Sequence, residues 1–88
     1  MKVKKDFILR EVAGTYVVVP VGEESLKFNA MINLNETGAF LFRQLQESDI
    51  TQDELTQAIL AEYDVDAKIA ERDVEIFIQK ALDAGVIE

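Results

Sequence analysis

Eighty-eight residues, 49% of them hydrophobic, suffice for one modest core and not for two, so the chain is expected to fold as a single domain. Seventeen acids against nine bases leave a net charge of −8, which repels phosphate backbones and anionic lipid headgroups. The sequence has no Cys and no His, which removes disulfide frameworks, thiolate nucleophiles, imidazole bases and nearly all zinc or iron–sulfur ligation. No cofactor is expected on this chain, and any redox group would belong to a partner.

No apolar run approaches the ~18 residues of a membrane span. The basic start Met1-Lys2-Val3-Lys4-Lys5 meets Asp6 where a signal peptide would turn apolar. The expectation is a cytoplasmic protein that binds neither membrane nor nucleic acid. Charge is uneven: Lys2, Lys4, Lys5 and Arg10 against Asp6 give residues 1–10 a sum of +3, leaving −11 on residues 11–88. Residues 1–6 are expected to form a flexible basic arm and residues 7–88 the domain. Lysines before a first strand commonly do no more than solvate a terminus.

Phe7-Ile8-Leu9-Arg10-Glu11-Val12 and Thr15-Tyr16-Val17-Val18-Val19 alternate with period two around Ala13-Gly14, the pattern of a β-hairpin. Gly14 supplies a positive φ for the turn, and Pro20, lacking an N–H, ends the second strand. After the polar connection Val21-Gly22-Glu23-Glu24-Ser25, the stretches Leu26-Lys27-Phe28 and Ala30-Met31-Ile32-Asn33-Leu34 predict a short third strand at the sheet edge. Asn35 is placed to cap a helix by accepting from the N–H of Thr37 or Gly38, and that helix runs to about Glu47 with Leu41, Phe42 and Leu45 inward. Thr51-Gln52-Asp53-Glu54 is a capping box opening a second helix with Leu55, Ala58, Ile59 and Tyr63 as its buried stripe. Asp66 caps a third helix, Gly85 ends it in a left-handed conformation, and Val86-Ile87 fold back. The fold class is therefore α+β, a three-stranded antiparallel sheet followed by three α-helices.

At about 100° per residue, the apolar side chains of the third helix do not share one stripe. Ala70, Val74, Phe77 and Ala81, with Ile78 beside them, define a core face, whereas Ile69 and Ile76 point away among Arg72, Asp73 and Lys80. Two readings stand open: a wide stripe covering more of the sheet, or a partly wet groove. The third strand is similarly ambiguous. Ala30–Leu34 has neither Pro nor Lys to protect an edge, so a peptide could add there by β-augmentation, or the strand could be interior or covered by a loop.

The run Leu34-Asn35-Glu36-Thr37-Gly38-Ala39-Phe40-Leu41-Phe42 resembles the Leu-Asn-any-Thr-Gly opening of the first helix in PqqD-like proteins. Tyr63-Asp64-Val65-Asp66, Asp73-Val74, Phe77 and Gly85-Val86-Ile87 resemble the end of helix two and the whole of helix three in that family, and Leu9–Gly14 with Val17–Pro20 resembles its hairpin. The resemblance implies a RiPP recognition element, a small winged helix-turn-helix module that binds leader peptides of ribosomally made precursors. In that family the leader lies as an added strand on the third strand, beside the third helix. Carried over, this nominates Met31, Ile32, Asn33, Ile69, Arg72, Asp73 and Ile76 as peptide-binding residues, and such binding would be helped by Arg72 and Lys80 pairing with acidic leader side chains. It also implies a modifying-enzyme partner, commonly a radical S-adenosylmethionine enzyme that would hold the iron–sulfur cluster. Phe42 stands where many members have Trp, and the motifs of the dedicated pyrroloquinoline quinone pathway member are missing, so that pathway is not implied.

Catalysis is not expected. Glu62, Asp64 and Asp66 suggest a hard-cation site, but a calcium loop needs a longer ligand series with a turn glycine and a distal glutamate, and the third helix begins too soon. Ser25 and Ser48 have no histidine to activate them. Two other functional classes remain: a winged-helix transcription factor, opposed by the acidic body and by Ala67, Ala70 and Glu71 at the start of its third helix, and a homodimer pairing through open strand edges.

Overall fold

The computed structural model describes residues 1–4, 6–22 and 32–87. Strands β1 (Phe7–Val12), β2 (Thr15–Pro20) and β3 (Ile32–Leu34) form an antiparallel sheet in the order β1-β2-β3, followed by helices α1 (Glu36–Glu47), α2 (Gln52–Glu62) and α3 (Ala67–Asp83). This is the expected α+β arrangement. Glu23 to Met31, including the stretch from Leu26 to Met31, and Lys5 lie outside the described residues.

The hairpin turn sets the hydrogen-bond phase of the whole sheet. Ala13 and Gly14 both have positive φ, 51° and 81°, as a two-residue turn of the mirror-image type requires. Such a turn makes Val12 and Thr15 a hydrogen-bonded pair, and the alternation continues through Arg10–Val17 and Ile8–Val19. The bond from Val21 N–H to Asp6 C=O, 2.8 Å, extends the same series. The main-chain groups of Tyr16 and Val18 therefore turn the other way, towards Leu34 and Ile32, their partners on β3.

Only Gly14 was legible as a positive-φ position; Ala13 carries a Cβ into the same region, where non-glycine residues are disfavoured by about 1–2 kcal/mol. Ala13→Asn, restoring the Asn-Gly pair this turn prefers, is expected to stabilise the domain by about 0.5–1 kcal/mol. Thermal unfolding would show this as a midpoint raised by roughly 3–6 °C.

One sheet face enters the core through Phe7 and Val18, with Leu9, Ile32 and Leu34 packed at its margin. Each helix begins where its sequence signal placed it. The Asn35 side chain accepts from Gly38 N–H at 2.7 Å, the Thr51–Glu54 capping box is complete, and Asp66 Oδ1 accepts from Lys68 N–H at 2.8 Å. At the other end of α3, Gly85 has φ 74°, its N–H bonds to Leu82 C=O, and Val86 N–H bonds to Ala81 C=O, both at 3.0 Å. That is a Schellman ending, and it drives Val86 and Ile87 into the core. The helices bury Leu41, Phe42 and Leu45 from α1, Leu55 and Ile59 from α2, and Ala70, Val74, Phe77, Ile78 and Ala81 from α3.

Two expectations need correction. In α2, Thr56 is buried while Ala58 and Tyr63 are only half-buried; the Thr56 hydroxyl donates to Gln52 C=O at 3.1 Å, so the side chain enters the interior with its polar group satisfied. Nor do the first residues behave as a flexible arm. Val3 is buried and bridges Ile87, Lys4 N–H bonds to Val86 C=O, Val3 N–H to Leu45 C=O and Ile50 N–H to Met1 C=O. The Met1 ammonium meets Asp49 Oδ1 at 2.6 Å and holds that carboxyl below its usual range. A short apolar seam at Val3 thus docks the segment while Lys2 stays exposed.

Candidate functional site

The hydrogen-bond phase decides what β3 offers. Ile32 and Leu34 spend their main-chain groups on Val18 and Tyr16, so the N–H and C=O of Asn33 point away from the sheet. Among the described residues no strand pairs with that outer edge. The Ile32 side chain turns inward and is half-buried against the core, whereas Asn33 is exposed on the opposite face.

Helix α3 presents its second face beside this edge. Ile69, Asp73, Ile76 and Lys80 follow one another at spacings of four, three and four and so form a single stripe, about a third of a turn from the core face. Ile69 is 43% and Ile76 59% exposed, while Val74, between them in sequence, is fully buried. Of the two readings left open for this helix, the structure matches the partly wet groove. Between the stripe, the end of β3 and the start of α1 lies a groove of about 220 Å³, with Leu34, Thr37 and Gly38 along one wall and Asp73, Ile76 and Lys80 along the other. Leu41 and Phe77 extend the apolar lining between them.

Glycine at position 38 suits this geometry. A Cβ there would stand 3.2 Å from Asn35 Oδ1 and from two carbons of Leu34, closer than packed side chains normally come. The Thr-Gly pair after the capping Asn35 thus lets the helix start press against the strand that feeds it.

Of the residues nominated from sequence, Asp73 and Ile76 line the groove, and Asn33 supplies the open main chain at its edge. Ile69 continues the stripe beyond the groove lining, and Arg72 is exposed on its flank, about 60° away around the helix. Ile32 contributes to the core side, and Met31 lies outside the described residues. Lys80, expected from sequence only as a partner for acidic leader side chains, donates its ammonium N–H to Asn33 C=O at 2.7 Å. Its position four residues after Ile76 was the available signal; the carbonyl it binds has no side-chain signature.

The acid and tyrosine chemistry lies elsewhere. Burial and the nearby Glu36 push the Tyr63 phenol above its usual range, and its ring meets Phe40 edge-on at 5.6 Å. Arg43 lies over the Tyr16 ring, 5.6 Å from its centre. Among the described residues, no three acidic, Cys or His side chains converge as a metal site, and no helix is long and apolar enough to cross a membrane.

Comparison with known proteins agrees with this architecture. The fold is similar to that of TbiB1, solved in complex with the TbiA(beta) leader peptide, with a TM-score of 0.77 and 24% sequence identity over 100% of this chain and 95% of that one. No curated protein matches the chain at a significant level. The family model described as coenzyme PQQ synthesis protein D (PqqD) matches residues 9–87, from the first strand through the buried tail, and the chain therefore belongs to the PqqD family.

Proposed function

We propose that the protein is a non-catalytic module that captures the leader segment of a ribosomally synthesised precursor peptide. The leader adds as a strand to β3 and is presented to a modifying enzyme, a radical S-adenosylmethionine enzyme that supplies the chemistry. The observation that carries this reading is the outward main chain of Asn33 beside the exposed Ile76, a strand edge that no other strand pairs among the described residues, flanked by an apolar wall. Main-chain bonds to such an edge give affinity, and alternate side chains entering the groove give specificity. Ile76 and Asp73 then contact the leader directly, with Ile69 and Arg72 extending the surface.

Membership in the PqqD family supports the reading, as does the likeness of fold to TbiB1, which was solved with a leader peptide. The same order of elements suits a winged helix-turn-helix, with β1 and β2 as the wing. A stripe of Ile69, Asp73 and Ile76 on a body of charge −11 favours peptide over DNA.

The test is calorimetric titration with a synthetic leader of the precursor peptide encoded beside this protein's gene. Saturable binding with a negative heat-capacity change, from burial of the Ile76 wall, is the expected result. No binding by a folded chain to any such leader would remove the reading.

A further inference from the structure

In the structure, the open edge of β3 is held by the protein's own side chain. Lys80 Nζ stands 2.7 Å from Asn33 O, on one of the main-chain groups that an added strand would use. The amide nitrogen of such a strand would sit about 2.9 Å from the same oxygen, so ammonium and strand compete for one acceptor. Lys80 thus holds an acceptor that strand addition would use.

The charges around Lys80 say which group would pair with it once displaced. Among the described residues no carboxylate lies within ion-pairing distance of its ammonium. Asp73, the acid lining the same groove, is seven residues earlier, about 10 Å along the helix. Asp83, one turn later, instead accepts from the Gln79 amide at 2.9 Å. Lys80 is exposed, so an ammonium displaced from Asn33 passes into water beside Ile76 and Asp73, and a carboxylate on the incoming peptide is the group that gives it a charged partner.

We propose that Lys80 is a displaceable latch on the outer edge of β3, and that the peptide it admits carries a carboxylate which takes over the ammonium as the latch opens. The inference rests on peptide capture by strand addition. It biases entry: a neutral segment exchanges the Lys80–Asn33 bond for hydration of the ammonium, whereas an acidic one supplies a charged acceptor in its place. Because the body carries −11, the acid is expected as a single residue in register with Lys80, in a segment otherwise neutral or basic.

The experiment is selection of a displayed random 12-residue peptide library on the wild-type protein and on Lys80→Met, with thermal unfolding confirming that both are folded. The wild type is expected to enrich extended peptides with Asp or Glu at one fixed distance from an apolar residue, and Lys80→Met to lose that preference. Resynthesised with Gln or Asn in place of the acid, the selected peptide should bind Lys80→Met about three- to tenfold more tightly than it binds the wild type, because the competing bond is gone. The same acidic consensus from both proteins, or no acid in the wild-type consensus, would overturn the latch while leaving peptide capture intact. No enrichment by the wild type would remove the strand-addition reading itself, and the latch with it.

Discussion

Asn33→Pro is expected to abolish leader binding while lowering the thermal midpoint by less than about 5 °C. Proline deletes a backbone N–H and fixes φ, which is severe only where that N–H is bonded. At position 33 the N–H faces outward, so the pairing of Ile32 and Leu34 with β2 survives. What disappears is the donor that an added strand requires, and the ring projects into its path. Ile32→Pro is the control. Its N–H faces Val18 within the sheet, so the same substitution one residue earlier should destabilise the domain by about 3 kcal/mol or more. Calorimetry and thermal unfolding on both variants read the two effects separately. Undiminished binding by Asn33→Pro would mean that the leader does not add at β3.

What was legible in the sequence was whatever is encoded within a few residues. Asn35, the Thr51–Glu54 box, Asp66 and Gly85 all announce themselves because the groups they satisfy lie two to five positions away. The split of α3 into two faces was equally legible, since helical periodicity alone separates Ile69 and Ile76 from Val74 and Phe77. Which reading of that split holds depends on how much of the helix the sheet and α2 cover, and periodicity carries no such information.

The rest was illegible for the same physical reason. Val3 is buried by Ile87 from the opposite end of the chain, and its alternation with Lys2 and Lys4 is too short a signal to separate docking from solvation. Ala13 adopts a positive φ because the register of two strands demands it, against its own preference. Lys80 binds a carbonyl on a distant strand, a target that every residue type presents equally. In the candidate site, therefore, the side chains could be nominated from sequence, but the direction in which the strand's main chain faces could not.

The two-faced helix makes its sharpest statement through a pair of substitutions two residues apart. Val74 is fully buried, and Val74→Asp would place a carboxylate in an interior lined by Leu41, Phe42 and Ile59, a change expected to destabilise by about 4 kcal/mol or more. Domains of this size are stable by roughly 5–10 kcal/mol, so that variant should keep at most about 6 kcal/mol and show a midpoint lowered by roughly 16 °C or more. Ile76→Asp introduces the same carboxylate at a position 59% exposed, where water solvates it, and the midpoint should move by no more than about 3 °C. Its effect appears on binding instead. The apolar wall of the groove becomes a second acid three residues after Asp73, and leader affinity should fall by about a hundredfold or more through lost burial and repulsion of the leader's own acid. Circular dichroism and calorimetry on the two proteins separate the outcomes: unfolding of Ile76→Asp would assign that residue to the core, and full binding by a folded Ile76→Asp would move the leader off this face of α3.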